Sequence, residues 1–169
     1  MGKAIGIDIR EKDSGNICGA NITRIRERKI GSLVFIADIA KGIIPVLLIK
    51  VLDTSSPNLP LIIGIAAILG HNYSCFLRFK GGKGIGTTTG ILIVWLPVTL
   101  GITLATWLIS LGLTRMVAGA SVSATTISPL TMWVAKPTTT AIGITIIIAT
   151  MAAYRQRSNF IPHTVEEPA

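Results

Sequence analysis

The amino-acid sequence reads as an all-α, polytopic bundle of membrane helices. Half of its 169 residues are hydrophobic and only 14% are charged, whereas a soluble domain carries about 25% charged residues. Mean hydropathy is +0.65. The apolar residues fall in long runs spread over most of the chain, as a chain that crosses a bilayer repeatedly requires. No internal repeat stands out, so residues 1–169 are expected to form a single domain.

Residues 1–29 form a polar head in which Lys3, Arg10, Lys12, Arg24, Arg26, Arg28 and Lys29 outnumber the acids. It lacks the apolar h-region of a signal peptide. The first span, 30–51, is long enough to cross at about 1.5 Å per residue, although Asp38 and Lys41 interrupt it. "DTSSPNLP" at 53–60 is turn chemistry. A second span covers 60–77, and "RFKGGKGIGTTTG" at 78–90 follows it. Segment 85–113 has Pro97 near its middle and can be one tilted helix or two short ones. Two further spans, 116–134 and 138–153, are parted by "AKP", and a polar tail occupies 154–169.

Charge placement resolves the ambiguous segment. Lys and Arg collect in cytoplasmic loops. If 85–113 crosses twice, the inner side holds the head, Arg78, Lys80, Lys83, Arg115, Arg155 and Arg157, and the outer side only Lys50 and Lys136. A single crossing would move Arg115, Arg155 and Arg157 outside and weaken that split. About six crossings are therefore expected, with the spans inside 30–153 and both termini cytoplasmic.

The formal charge of +8 does not imply nucleic acid, because so few polar residues leave no soluble basic face. Anionic lipid or a phosphorylated substrate fits better. Cys18 and Cys75 match no metal or redox spacing and read as reduced thiols.

The glycine loop is the first candidate site. Gly81, Gly82, Gly84 and Gly86 let backbone N–H groups converge on one anion, Lys80 and Lys83 supply charge, and a following helix would add its N-terminal dipole. It is no Walker A loop, for it lacks GxxxxGK[ST] and a preceding strand. A positive-inside loop whose glycines merely permit a turn remains the other reading. "SGNICGANITR" concentrates Ser14, Asn16, Asn21 and Arg24 before the first span, either as donors to phosphate oxygens or as a capped turn. Asp38 and Lys41 share one helix face, so they pair with each other or line a site. His71 and Asn72 lie near the inner end of the second span, and His71 is a structural residue or a base. In "YRQRSN", Arg155 and Arg157 serve at least as topology anchors. His163 lies in the polar tail and reads as solvated.

Taken in order, "GIDIREKDSGN", "NITR", "FIADIAKGIIPV", "AAILGH", "FKGGKG" and "RSN" resemble the bacterial acyl-phosphate glycerol-3-phosphate acyltransferases (PlsY) over nearly the whole chain. The resemblance implies a multi-pass enzyme of the bacterial inner membrane with its active site facing the cytoplasm. Such an enzyme moves a fatty acyl group from acyl phosphate to the 1-hydroxyl of glycerol 3-phosphate. It releases lysophosphatidic acid and phosphate in phospholipid synthesis, and needs no metal, coenzyme A or other cofactor. Its implied partners are the two substrates, membrane lipid and an enzyme that forms acyl phosphate. Carried over by position, the catalytic set falls on Ser14, Arg24, Lys83 and Asn159. Ser14, Arg24 and Lys83 would hold substrate phosphate. Substrate binding falls on Asn16, Asn21, His71, Lys80, Gly81, Gly82, Gly84 and Gln156, with the loop amides on the acyl phosphate. A substrate phosphate oxygen would act as the base, consistent with a sequence that offers no evident Ser-His-Asp set or carboxylate pair.

Four positions differ from the family pattern: Cys18 for glycine, Ala20 for threonine, Ser74 for proline and Gln156 for histidine. The family's first helix, with its "GSIP" segment, is expected to be missing. Two alternatives follow: a divergent or truncated paralogue that binds phosphate or lipid with little catalysis, or a small transporter of an organic phosphate.

Overall fold

Proline and glycine punctuate this chain, and the helices begin and end where they stand. The computed structural model describes residues 28–52, 55–56, 58–79, 81–135 and 139–156. Among these lie six α-helices: α1 (Arg28–Leu52), α2 (Leu59–Asn72), α3 (Ile85–Trp95), α4 (Pro97–Thr114), α5 (Val117–Ala135) and α6 (Thr139–Gln156). A 3₁₀ turn covers Cys75–Leu77, and no strand occurs among the described residues. Prolines occupy the first turns of α2 and α4, where the missing N–H has no intrahelical acceptor to lose.

The expected spans differ from the helices in three places. The helix of the 60–77 span stops at Asn72, and the chain turns before Arg78. Arg78 and Phe79 then take left-handed backbone angles, with φ of 51° and 61°. Helix α6 runs through Gln156 instead of stopping at 153, so Arg155 belongs to a helix and not to a tail. Segment 85–113 is two helices broken at Leu96. Leu96 adopts φ −143° and ψ 69°, far from helical values, and Pro97 cannot donate across the break.

The break reverses the chain. Leu96 packs with Leu61, near the start of α2, and with Met132, near the end of α5. At the other end of α4, Thr114 lies by Gly119 in the first turn of α5. Helix α5 runs alongside both α4 and α6. Thus α1, α3 and α5 run one way and α2, α4 and α6 the other. A second core cluster, Val46, Ile68 and Ile91, joins α1, α2 and α3 halfway along.

Helices α1 and α3 pack backbone to backbone. A Cβ on Gly42 would enter the Thr87 carbonyl, and one on Gly90 the Ile39 carbonyl. Small residues give membrane helices this close approach. Helix α5 is rich in hydroxyls, which its own carbonyls absorb: Ser121 donates to Val117 (2.8 Å) and Thr126 to Val122 (2.8 Å). That pattern satisfies polar atoms where lipid offers no partner. Trp107 Nε1–H donates to Ser121 Oγ (3.1 Å) and ties α4 to α5.

Outward faces are apolar. Val51, Leu52, Leu113 and Trp133 are all more than half exposed, a surface suited to lipid and not to water. Among the described residues, three segments are long and apolar enough to cross a bilayer: Lys29–Leu52, Leu59–Leu77 and Pro97–Thr114. Helix α3, with 11 residues, spans only about 16 Å.

Candidate active site at the glycine loop

Residues 81–84 complete the connection from α2 to α3 and pack back against the carboxyl end of α2, and the unsatisfied backbone groups of both helix ends organise them. Gly81 N–H donates to the Asn72 carbonyl (3.1 Å) and Gly82 N–H to the His71 carbonyl (3.2 Å). Two loop amides are thus committed to α2. Approach is close enough to demand glycine: a Cβ on Gly81 would enter the His71 carbonyl, and one on Gly82 the His71 ring at Nε2.

Arg155 closes the carbonyl side of the loop from α6. Its Nη2 donates to the carbonyls of Asn72 (2.8 Å), Gly81 (2.9 Å) and Gly82 (2.9 Å), and Nε donates again to Gly82 (3.2 Å). The guanidinium also lies over the Tyr73 ring, 5.4 Å from its centroid. A cation at this point offsets the negative end of the α2 dipole, which would otherwise repel an anion near the loop.

The amino side of the junction has opposite character. Gly84 caps α3 with φ +77°, a left-handed angle that glycine takes without strain. The α3 ladder opens with Thr88 N–H to the Gly84 carbonyl (2.8 Å). The amides of Ile85, Gly86 and Thr87 come before it and have no acceptor within the helix. They form the positive end of the α3 dipole. Lys83, next to them, is buried at 7% exposure. Junction 81–84 therefore presents buried positive charge and helix-terminal N–H groups at one place.

Helix α1 supplies the third wall. Asp38 is buried, and its Oδ1 lies 2.9 Å from Lys41 Nζ and 3.5 Å from His71 Nδ1. Asp38 therefore both pairs with Lys41 and adjoins the residue that backs the loop. An open cleft of about 620 Å³ lies between α1 and α2 and reaches Asp38, His71 and Gly82.

Of the residues singled out in the sequence, the structure gathers His71, Gly81, Gly82, Lys83 and Gly84 at this junction. Gln156 follows the arginine that clamps it. Gln156 is fully buried, and its amide oxygen and nitrogen have no hydrogen-bond partner among the described residues, as is true of Asn72 Oδ1 and Thr87 Oγ1. Ser14, Asn16, Asn21, Arg24, Lys80 and Asn159 lie outside the described residues. Sequence reasoning gave Arg155 a role at least as a topology anchor and no contact with the loop. Its partners lie 73 to 83 positions away, and no local pattern marks them. The signal that existed was an arginine at the inner end of an apolar helix, one residue before a candidate binding position.

Fold and junction define a helical integral membrane protein with a cationic, glycine-lined site at one end of its bundle. Residues 1–163 match the family model described as Glycerol-3-phosphate acyltransferase. Relatives named glycerol-3-phosphate acyltransferase include one from Geotalea daltonii, 37% identical over 94% of this chain and 81% of its own. Another, from Desulforudis audaxviator, is 40% identical over 91% of this chain and 77% of its own. The crystal structure of PlsY, an integral membrane glycerol 3-phosphate acyltransferase, in its glycerol 3-phosphate form superimposes with a TM-score of 0.86 at 35% identity. That match covers 94% of this chain and 79% of PlsY. The lysophosphatidic acid form gives a TM-score of 0.81. The chain belongs to the glycerol-3-phosphate acyltransferase family and is an acyltransferase.

Proposed function

We propose that this protein transfers a fatty acyl group from acyl phosphate to the 1-hydroxyl of glycerol 3-phosphate at the cytoplasmic face of a bacterial inner membrane. The observation that carries the reading is the junction itself: buried Lys83 and the amino end of α3 stand together, with Arg155 covering the opposing carbonyls. Two phosphorylated substrates need such a surface, and relatives over most of the chain are named for one of them.

The chemistry asks little of side chains. The hydroxyl oxygen forms a bond to the acyl carbon, the bond from that carbon to the phosphate oxygen breaks, and phosphate leaves with the electron pair. The hydroxyl proton passes to a phosphate oxygen of the substrates. Acyl phosphate is already activated, so alignment and charge stabilisation supply most of the catalysis. Lys83 and the amides of Ile85–Thr87 would offset phosphate charge. Ser14, Arg24 and Asn159 would complete the catalytic set, with Asn16, Asn21, His71, Lys80, the loop glycines and Gln156 around the substrates.

Residues 1–169 would act as one membrane domain with six crossings and both ends cytoplasmic. Charge supports that orientation. Arg115 and Arg155 end helices that run toward the loop, whereas Lys50 lies at the far end, where its Nζ donates to the Val94 carbonyl (3.1 Å). An enzyme that makes acyl phosphate would supply the donor.

The test is reconstitution in lipid vesicles with palmitoyl phosphate and radiolabelled glycerol 3-phosphate. Labelled lysophosphatidic acid is expected, and Lys83→Met should reduce it by about 100-fold, the scale of one removed charge-stabilising donor. No product, under conditions where PlsY is active, would overturn the assignment. Glycerol 3-phosphate binding without turnover would point to a non-catalytic binding protein, and glycerol 3-phosphate flux to a transporter.

A further inference from the structure

Asp38 sits where three helices meet. It is buried on α1, and its carboxylate has two neighbours, Lys41 on the same helix and His71 on α2. These neighbours are not equivalent. The Lys41 side chain is 59% exposed, whereas that of His71 is 8% exposed, as is that of Asp38 itself. A lysine that reaches the surface gives up freedom to stay in one geometry, while packing holds the imidazole and the carboxylate together. Asp38 also abuts α3: a Cβ on Gly86 would lie 2.8 Å from Asp38 Cβ. One residue thus touches the last turn of α2 and the first turn of α3, the two stems of the glycine loop.

The His71 ring faces both ways. Nδ1 lies 3.5 Å from Asp38 Oδ1, and Nε2 stands where a Cβ on Gly82 would run into it. A Cβ on the preceding Gly70 would meet nothing within 4 Å, so the end of α2 is tight on the face that His71 turns to the loop and open beside it. A proton on Nδ1 faces a carboxylate. A proton on Nε2 faces a glycine whose carbonyl already accepts from both Nη2 and Nε of Arg155. Such partners decide which ring nitrogen carries the hydrogen.

We propose that Asp38 is a positioning residue for acyl transfer: it keeps the proton on His71 Nδ1 and the ring against Gly82, and so sets where the glycine loop and the first turn of α3 stand. The catalytic consequence rests on the acyltransfer reading above; the tautomer does not.

The chain has two histidines, His71 and His163, so the tautomer is directly readable. Protein carrying isotope-labelled histidine, in lipid vesicles at mildly alkaline pH, is compared by nitrogen NMR with its His163→Gln variant, which leaves the signals of His71. A ring protonated at Nδ1 is expected, shifting toward the Nε2 form in Asp38→Asn. In the vesicle assay Asp38→Asn should lower kcat/KM about tenfold, the scale of one hydrogen bond to a charged group, and Lys41→Met should lower it less. Asp38→Asn added to His71→Gln should change kcat/KM by less than about twofold, since a residue that acts through another has little left to lose once that one is gone. A His71 ring protonated at Nε2 alone, or one that Asp38→Asn leaves unmoved, overturns the proposal. So do equal losses in Asp38→Asn and Lys41→Met, or a full further loss in the double variant. The tautomer of the unsubstituted protein decides the matter even if Asp38→Asn does not fold. If the unsubstituted protein turns over no acyl phosphate, the acyltransfer reading fails, and the spectrum still shows whether Asp38 governs His71.

Discussion

Arg155 offers the sharpest perturbation. Its guanidinium donates to three carbonyls at 2.8 to 3.2 Å and is the described link from α6 to the glycine loop. A hydrogen bond to a charged group contributes about 1.5–3 kcal/mol net. The four contacts share one half-buried cation, and water can replace part of what Arg155→Ala removes. Two bonds at the lower end of that range, about 3–4 kcal/mol, are the expected loss. At 1.4 kcal/mol per factor of ten, that is roughly a 100- to 1,000-fold fall in kcat/KM if the loss falls on loop placement. Arg155→Lys keeps the charge but not the planar fork, and an ammonium at that distance serves about one carbonyl. Its fall should be roughly tenfold. Lysophosphatidic acid formation in vesicles measures both, with thermal unfolding in detergent as the control for folding. An Arg155→Ala protein within threefold of the unsubstituted one, or equal losses in the two variants, would show that the clamp does not position the loop.

Three further outcomes follow from the packing. Gly84→Ala forces a left-handed residue to carry a Cβ 2.9 Å from Asn72 Oδ1; strain of about 1–2 kcal/mol should cut activity about tenfold in the same vesicle assay. Gly42→Leu must part α1 from α3, because the first added carbon already meets the Thr87 carbonyl. Overpacking of this kind costs about 1–3 kcal/mol and should lower the unfolding temperature more than Gly70→Leu does. Trp107→Phe removes the donor to Ser121, a bond worth about 0.6 kcal/mol between membrane helices, and should leave both activity and its dependence on glycerol 3-phosphate unchanged.

The helical class and most helix boundaries were legible in the residues because local chemistry governs them. Apolar runs of 18 or more residues answer to bilayer thickness, and Pro60 and Pro97 mark helix starts by losing an N–H. The glycine loop was legible for the same reason, through composition and order along the chain. Its internal wiring was not. The sequence suggested several loop amides turned toward an anion, yet those of Gly81 and Gly82 bond to α2. The amides that lack an acceptor inside their own helix are those at the start of α3, one step farther on. For Asp38 and Lys41 the sequence allows mutual pairing or a place in a site; Asp38 pairs with Lys41 and also adjoins His71 on the next helix.

Residue order and hydropathy alone establish a helical membrane chain, the family to which it belongs, and a glycine–lysine loop between two apolar segments. They do so because lipid permits few backbone solutions and because turn chemistry is short-range. Three-dimensional packing assigns Arg155 to that loop, seats Leu96 against Leu61 and Met132, and opens the cleft between α1 and α2. Those outcomes depend on contacts between residues up to 83 positions apart, whose energies arise only once the helices have met.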